Sequence, residues 1–363
     1  AGFLLVSLVL VQSPKLNRTV EPTYRRALAG YEYSFPSDHG SHPDYKLEWW
    51  YYTGHLNDNA GQRFGYQLTF FRVGMDRRAE IASRWRIDDL HVAHFALSEI
   101  DADRFRFYER LNRAGPGIAW AREKTLDVEN AGWFARIEGD AMNLRAYADG
   151  ILLELELKST KNPVVHGIEG VSQKGDGVGQ ASHYYSMTRM ETRGLLSFDG
   201  QPIEVSGESW MDHEFGTNQL APKQIGWDWF SIQLDNGEEL MLYQLRHRNG
   251  SIDRNSSGTI IESDGKTQHL KLDQFSVAAS DEWASEKSEA LYAIDWRLEI
   301  PDIDANLHVI PLMKDQELVT TQSTGIAYWE GTVRIEGRWK GQPITGHGYV
   351  ELTGYSERYR PSV

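Results

Sequence analysis

Cysteine is absent from the 363 residues, which excludes disulfides, thiolate metal sites and a cysteine nucleophile, together with the lipid-attachment residue of a bacterial lipoprotein. Basic runs are missing as well. With 38 Lys and Arg against 52 Asp and Glu the formal net charge is −14, so neither nucleic acid nor an anionic membrane surface finds the basic patch it needs. The apolar run over residues 1–11 stops at Gln12-Ser13-Pro14, too short for a stable membrane span but the right length for a signal-peptide core. Residues 1–14 are therefore expected to be a truncated export signal, and the protein to be secreted or periplasmic. A buried first strand or an anchor helix is the alternative.

Several chemical signatures are also lacking. The nearest approach to a nucleophile elbow, Gly207-Glu208-Ser209-Trp210-Met211, has no last glycine and no helix behind it. Gly175, Gly177 and Gly179 do not sit between a strand and a helix, so they read as a loop and not a phosphate cradle. His91 and His94 lie three apart in a strand-like run and point to opposite faces, while Asp212, His213 and Glu214 would supply only part of a metal site. No metal or other cofactor is expected. Residues 15–46 carry Pro22, Pro36 and Pro43 and read as an extended lead-in, with His39 and His42 facing solvent. Helical periodicity is scarce, and Arg104–Asn112 and Asp281–Ala290 are the segments that best fit short helices.

What the chain does have is aromatic side chains: 12 Trp, 17 Tyr and 13 Phe, clustered on strand-like segments as in aromatic-lined cavities or inter-sheet cores. Leu47 to Leu56, with Glu48-Trp49-Trp50-Tyr51-Tyr52 and His55, is bulky on both faces and reads as a strand buried on both sides. A polar turn at Asn57–Gly61 and a second run to Phe71 complete a hairpin. Short strands and turns continue throughout, which means an all-β barrel or sandwich class. Trp49 to Leu68 is echoed by Trp227 to Leu245, and Gly200-Gln201-Pro202-Ile203 by Gly341-Gln342-Pro343-Ile344. The recurrence predicts two related antiparallel barrels, 20–217 and 218–363, produced by internal duplication. Chance repetition of aromatic hairpins would give the same echo.

The stretch Trp210-Met211-Asp212-His213-Glu214-Phe215-Gly216 joins the two halves. Strand alternation puts Trp210, Asp212 and Glu214 on one face and Met211, His213 and Phe215 on the other. A carboxyl beside an indole loses hydration and stays protonated near neutrality, the state of a proton donor. Asp212 and Glu214 would equally serve to end the strand and hold a turn at Gly216. Other acids sit among aromatics: Glu48 beside Trp49-Trp50, Glu330 in Tyr328-Trp329-Glu330-Gly331, and Glu351 between Tyr349 and Tyr355. With His183-Tyr184-Tyr185-Ser186-Met187 they suit proton transfer to an apolar substrate, a developing cation being held by aromatic faces.

These motifs, with Gly226-Trp227-Asp228-Trp229-Phe230, resemble the carotenoid 1,2-hydratase family and its secreted AttH-like relatives, many of them called secreted hydrolases, over about Tyr31 to Tyr355. The resemblance implies two lipocalin-like barrels and a place for Asp212 as the acid that protonates an isoprenoid double bond before water adds. On this view Asp212 and Glu214 carry the proton, with His213 or Tyr185 orienting water or substrate. Glu48, Trp49, Trp50, Tyr52, His55, Trp210, Trp227, Trp229, Tyr328, Trp329, Glu330 and Glu351 would surround an apolar small molecule, a lipid or isoprenoid. A carrier that binds such a ligand unchanged is the alternative, and a secreted hydrolase a lesser one. The sequence leaves the oligomeric state open.

Overall fold

The computed structural model describes residues 24–75, 87–218 and 220–359; the apolar run at 1–14 lies outside them. Among the described residues, thirteen strands form one antiparallel sheet: β1 (Leu47–Asp58), β2 (Arg63–Gly74), β3 (Asp89–Glu99), β4 (Arg104–Arg113), β5 (Ala119–Ala121), β6 (Asp127–Asn130), β7 (Trp133–Glu138), β8 (Ala141–Ala148), β9 (Ile151–Ser159), β10 (Val164–Val165), β11 (Ser172–Gln173), β12 (Ala181–Phe198) and β13 (Gln201–Gly216). Ten form the other: β14 (Gln224–Leu234), β15 (Glu239–His247), β16 (Ser257–Ile261), β17 (Thr267–Lys271), β18 (Ser276–Ala284), β19 (Leu291–Ile300), β20 (Ala305–Pro311), β21 (Glu317–Val319), β22 (Ala327–Trp339) and β23 (Gln342–Thr353). Each sheet curls into a near-barrel. Among the described residues helix is confined to short 3-10 turns, none of them long and apolar enough to cross a membrane.

The two sheets follow one plan. The first runs β4-β3-β2-β1-β13-β12-β9-β8-β7 and on to β5, the second β17-β16-β15-β14-β23-β22-β20-β19-β18. Hairpin β1–β2 thus takes the place of β14–β15, and β13 that of β23. Both hairpins close on a glycine in the left-handed region, Gly61 at φ 84° and Gly237 at φ 80°, where a side chain would be strained.

Alternation sorts the bulky residues of β1 onto two buried faces. Trp50, Tyr52 and Leu56 join the core of the first barrel with Phe64, Leu68, Phe95 and Met211. Tyr51 points the other way, into a third cluster with Trp210, Trp229, Tyr243 and Tyr349 drawn from both sheets, with Trp49 and Trp227 against it. In the second barrel Phe230, Ile232, Trp296, Trp329 and Val350 fill the core. The barrels therefore stack back to back, β1 and β13 against β14, β22 and β23.

Three expectations need correction. Arg104–Asn112 is strand, because its apolar side chains repeat every second residue: Phe105 and Phe107 pack towards Leu318 and Tyr328, and Tyr108 towards the first core. Asp281–Ala290 begins as the end of β18, with Trp283 paired to Tyr292, and finishes as the turn into β19. His39 and His42 do not face solvent either. His39 is buried with Nδ1 2.7 Å from the Tyr185 hydroxyl, and His42 lies between Asp38 and Glu48.

Candidate active site

Between the barrels lies a cavity of about 400 Å3 whose wall is mostly aromatic and aliphatic. The first sheet contributes Trp49 and Tyr51 from β1, Gln67, Thr69 and Phe71 from β2, and Asp212 and Glu214 from β13. Trp227 and Trp229 of β14, Tyr243 and Leu245 of β15, Tyr328 and Glu330 of β22 and Glu351 of β23 come from the second, and Lys174 from the glycine-bearing loop before β12. Four carboxyls and one ammonium thus interrupt an apolar surface. Cavities of this size and lining take small organic molecules.

Asp212 is the most elaborately held of the four. Its Oδ2 accepts from the Tyr184 hydroxyl at 2.7 Å and its Oδ1 from Trp210 Nε1 at 2.6 Å, and the Ser186 hydroxyl also bonds Oδ1. Tyr184 in turn accepts from Trp229 Nε1 at 3.0 Å, which ties the site to the second barrel. Ser186 continues to His166, whose Nε2 is 2.7 Å away and whose Nδ1 meets Thr259 Oγ1 at 2.9 Å. Burial pushes the Asp212 carboxyl up to about 7 against the pull of these three partners, with a further push from Glu214. Desolvation decides here, since burial penalises the ionised form more than the three hydrogen bonds favour it. Burial also keeps His166 well below the usual imidazole range, hence neutral.

The other acids differ. Glu214 bonds the Ser182 hydroxyl and lies 3.5 Å from Lys174 Nζ, which rests 3.9 Å from the centre of the Tyr243 ring. Burial alone would lower Lys174, but Glu214 beside it raises it, so the ammonium stays charged. Glu330 and Glu351 face each other in register on β22 and β23. Glu330 Oε2 accepts from the Tyr51 hydroxyl at 2.8 Å, and Glu351 Oε2 from Trp227 Nε1 at 3.1 Å. Burial and the neighbouring Glu351 hold Glu330 well above the usual carboxylate range, and burial brings Glu351 to about 7.

The structure divides the residues singled out in the sequence. Asp212, Glu214, Trp49, Trp227, Trp229, Tyr328, Glu330 and Glu351 line the cavity. Trp210 stands behind Asp212, and His55 packs at the barrel junction, bonded to the Gly348 carbonyl at 2.8 Å. Trp329 belongs to the second core. Trp50, Tyr52, Glu48, Tyr185 and His213 face the first barrel instead. There His213 Nδ1 meets the Tyr185 hydroxyl at 3.1 Å and its Nε2 meets Glu48 Oε1 at 3.0 Å. Tyr185 and His213 are therefore one residue out of phase with Asp212, and Tyr184 and Ser186 take the orienting positions. Around Glu48 the atoms of His42 and His213 come within 4.8 Å of one another as a metal site would require. Arg72 Nε at 3.0 Å from Glu48 Oε2 makes this corner an ion-pair network, and the carboxyl sits well below its usual range, burial being outweighed by His213, His42 and Arg72.

Sequence reasoning missed Tyr51, Lys174 and His166 as site residues, and from the stretch His183-Tyr184-Tyr185-Ser186-Met187 it assigned a catalytic part to Tyr185 and not to Tyr184 or Ser186. Tyr184 and Ser186 were within reach, since they share a strand face two residues apart. Lys174 and His166 lie in irregular segments, where no periodicity points anywhere.

Residues 26–355 match the family model described as AttH-like. The chain belongs to the AttH-like family. A crystal structure of an AttH from Nitrosomonas europaea is similar to it at 34% identity, covering 92% of this chain and all of that one, with a TM-score of 0.84. The structure of kievitone hydratase from Nectria haematococca shares the fold of this AttH-like chain at 16% identity, covering 92% and 96% of the two chains, with a TM-score of 0.70. The dehydratase asqC of Emericella nidulans is 20% identical over 287 residues, 75% of this chain and 79% of its own.

Proposed function

We propose that this AttH-like protein adds water to, or removes it from, a carbon–carbon double bond of an apolar small molecule bound between the barrels, with Asp212 as the acid. One observation carries the reading: a carboxyl held by Tyr184, Ser186 and Trp210 in the wall of an aromatic cavity and pushed up to about 7 by burial. Such a group is protonated in part at neutrality and suits general acid catalysis. In the forward direction Asp212 gives its proton to one alkene carbon, and the π pair forms the new C–H bond. Water then bonds the neighbouring carbon, and its surplus proton returns to the Asp212 carboxylate. Trp49, Trp227 and Trp229 line the same cavity, and aromatic faces of this kind suit a developing cation. The names of kievitone hydratase and the dehydratase asqC support water addition and removal as the chemistry, and the resemblance of the aromatic motifs to those of carotenoid 1,2-hydratases favours an isoprenoid substrate.

The test is incubation with unsaturated isoprenoids and lipids in heavy-oxygen water. Label fixed in a new C–O bond supports the reading. Ligand recovered bound and unchanged leaves the carrier alternative.

A further inference from the structure

Two oxygen atoms of the cavity wall are left over when every hydrogen bond has been assigned. Among the described residues Glu330 Oε1 and Gln67 Oε1 are buried without a partner, and both residues are 1% exposed. They come from opposite barrels onto the same cavity. Gln67 also lies against Tyr328, which shares a strand face with Glu330. Each has its other polar atom engaged, Glu330 Oε2 by Tyr51 at 2.8 Å and Gln67 Nε2 by Thr69. An unpaired buried polar atom is costly because it has given up water for nothing, and two at one cavity mark a place where a ligand atom completes the set.

Their chemistry specifies that atom. Since Tyr51 donates to Oε2, the proton of a neutral Glu330 resides on Oε1 and makes it a donor, while the Gln67 carbonyl can only accept. A hydroxyl satisfies both at once. A ketone satisfies one, a hydrocarbon neither, and a carboxylate, which only accepts, would leave the Gln67 carbonyl unpaired. We propose that Gln67 and Glu330 form an alcohol-binding subsite that takes the neutral hydroxyl of an otherwise apolar ligand. This deepens the reading above and rests on it, the alcohol being the hydrated partner of the reaction.

The experiment compares farnesol, farnesene and farnesoic acid by quenching of tryptophan fluorescence, in the parent, in Asp212→Asn to remove turnover, and in Gln67→Leu and Glu330→Leu. Farnesol should bind roughly tenfold more tightly than farnesene in the first two proteins, about the value of one net hydrogen bond. The ratio should fall towards one in each leucine variant, and Gln67→Leu still decides should Glu330→Leu fail to fold. Equal affinities for alcohol and hydrocarbon in the parent, or a ratio unchanged in the leucine variants, would overturn the subsite. Tighter binding of farnesoic acid would also overturn it and make Lys174 the anchor. If none of the three binds, the apolar cavity itself fails as a ligand site, which defeats the parent reading separately.

Discussion

Asp212 and His213 are neighbours with opposite fates. The first enters an aromatic-lined cavity and keeps its proton to about pH 7; the second joins Glu48, Arg72 and His42 in an ion-pair network inside the first barrel. Asp212→Asn should keep ligand affinity and lose turnover by roughly 10²–10⁴-fold, the usual effect of a general acid, as single-turnover kinetics would reveal. The parent rate should decline as pH rises through about 7, because only the protonated carboxyl can donate. His42 makes a different prediction. Burial would lower it, but Asp38 and Glu48 raise it from 6.5 to about 9, so its folded form binds the proton more tightly than its unfolded form. That contribution to stability is fully present below pH 6.5 and is lost as pH rises through about 9. Urea midpoints measured across this window should fall less in His42→Gln than in the parent. The sequence made Asp212 and Glu214 legible through strand alternation. It could not tell which face of β13 looks into a barrel and which looks between two, so Tyr185 and His213 were grouped with the wrong partner.

At the level of elements, β1 and β13 carry the design, since each presents one face to a core and the other to the cavity. Their contact is close at Gly54, where a Cβ would lie 2.5 Å from both Ser209 Oγ and Tyr66 Cε1. Gly54→Ala should therefore destabilise the protein by about 1–3 kcal/mol, as overpacking does, and denaturant unfolding would measure it. The repeated aromatic hairpin was readable because bulky residues at successive positions demand burial on both sides, and a strand can satisfy that only between two layers. The segments Arg104–Asn112 and Asp281–Ala290 were not readable as strands. Charged residues interleaved with Phe105 and Phe107 imitate a helix surface until the facing residues Leu318 and Tyr328 supply the missing apolar partner.

The whole molecule depends on the junction. Tyr51 to Glu330, His94 to Tyr328, Ser98 to Gln316 and Lys161 to Glu239 are hydrogen bonds from one barrel to the other, and the cavity is walled by residues of both. The two barrels should then unfold in one calorimetric transition, and a ligand of the cavity should raise its midpoint, as any ligand selective for the folded state does. Two separate transitions, only one of them ligand-sensitive, would place the site within a single barrel. The account stands most directly on the protonation of Asp212. Infrared spectra of the parent minus Asp212→Asn, taken across the pH range, isolate that one carboxyl. A carboxylic-acid carbonyl band that fades with a midpoint near 7 is the predicted result; a difference spectrum showing only ionised carboxylate in mildly acidic solution would contradict it.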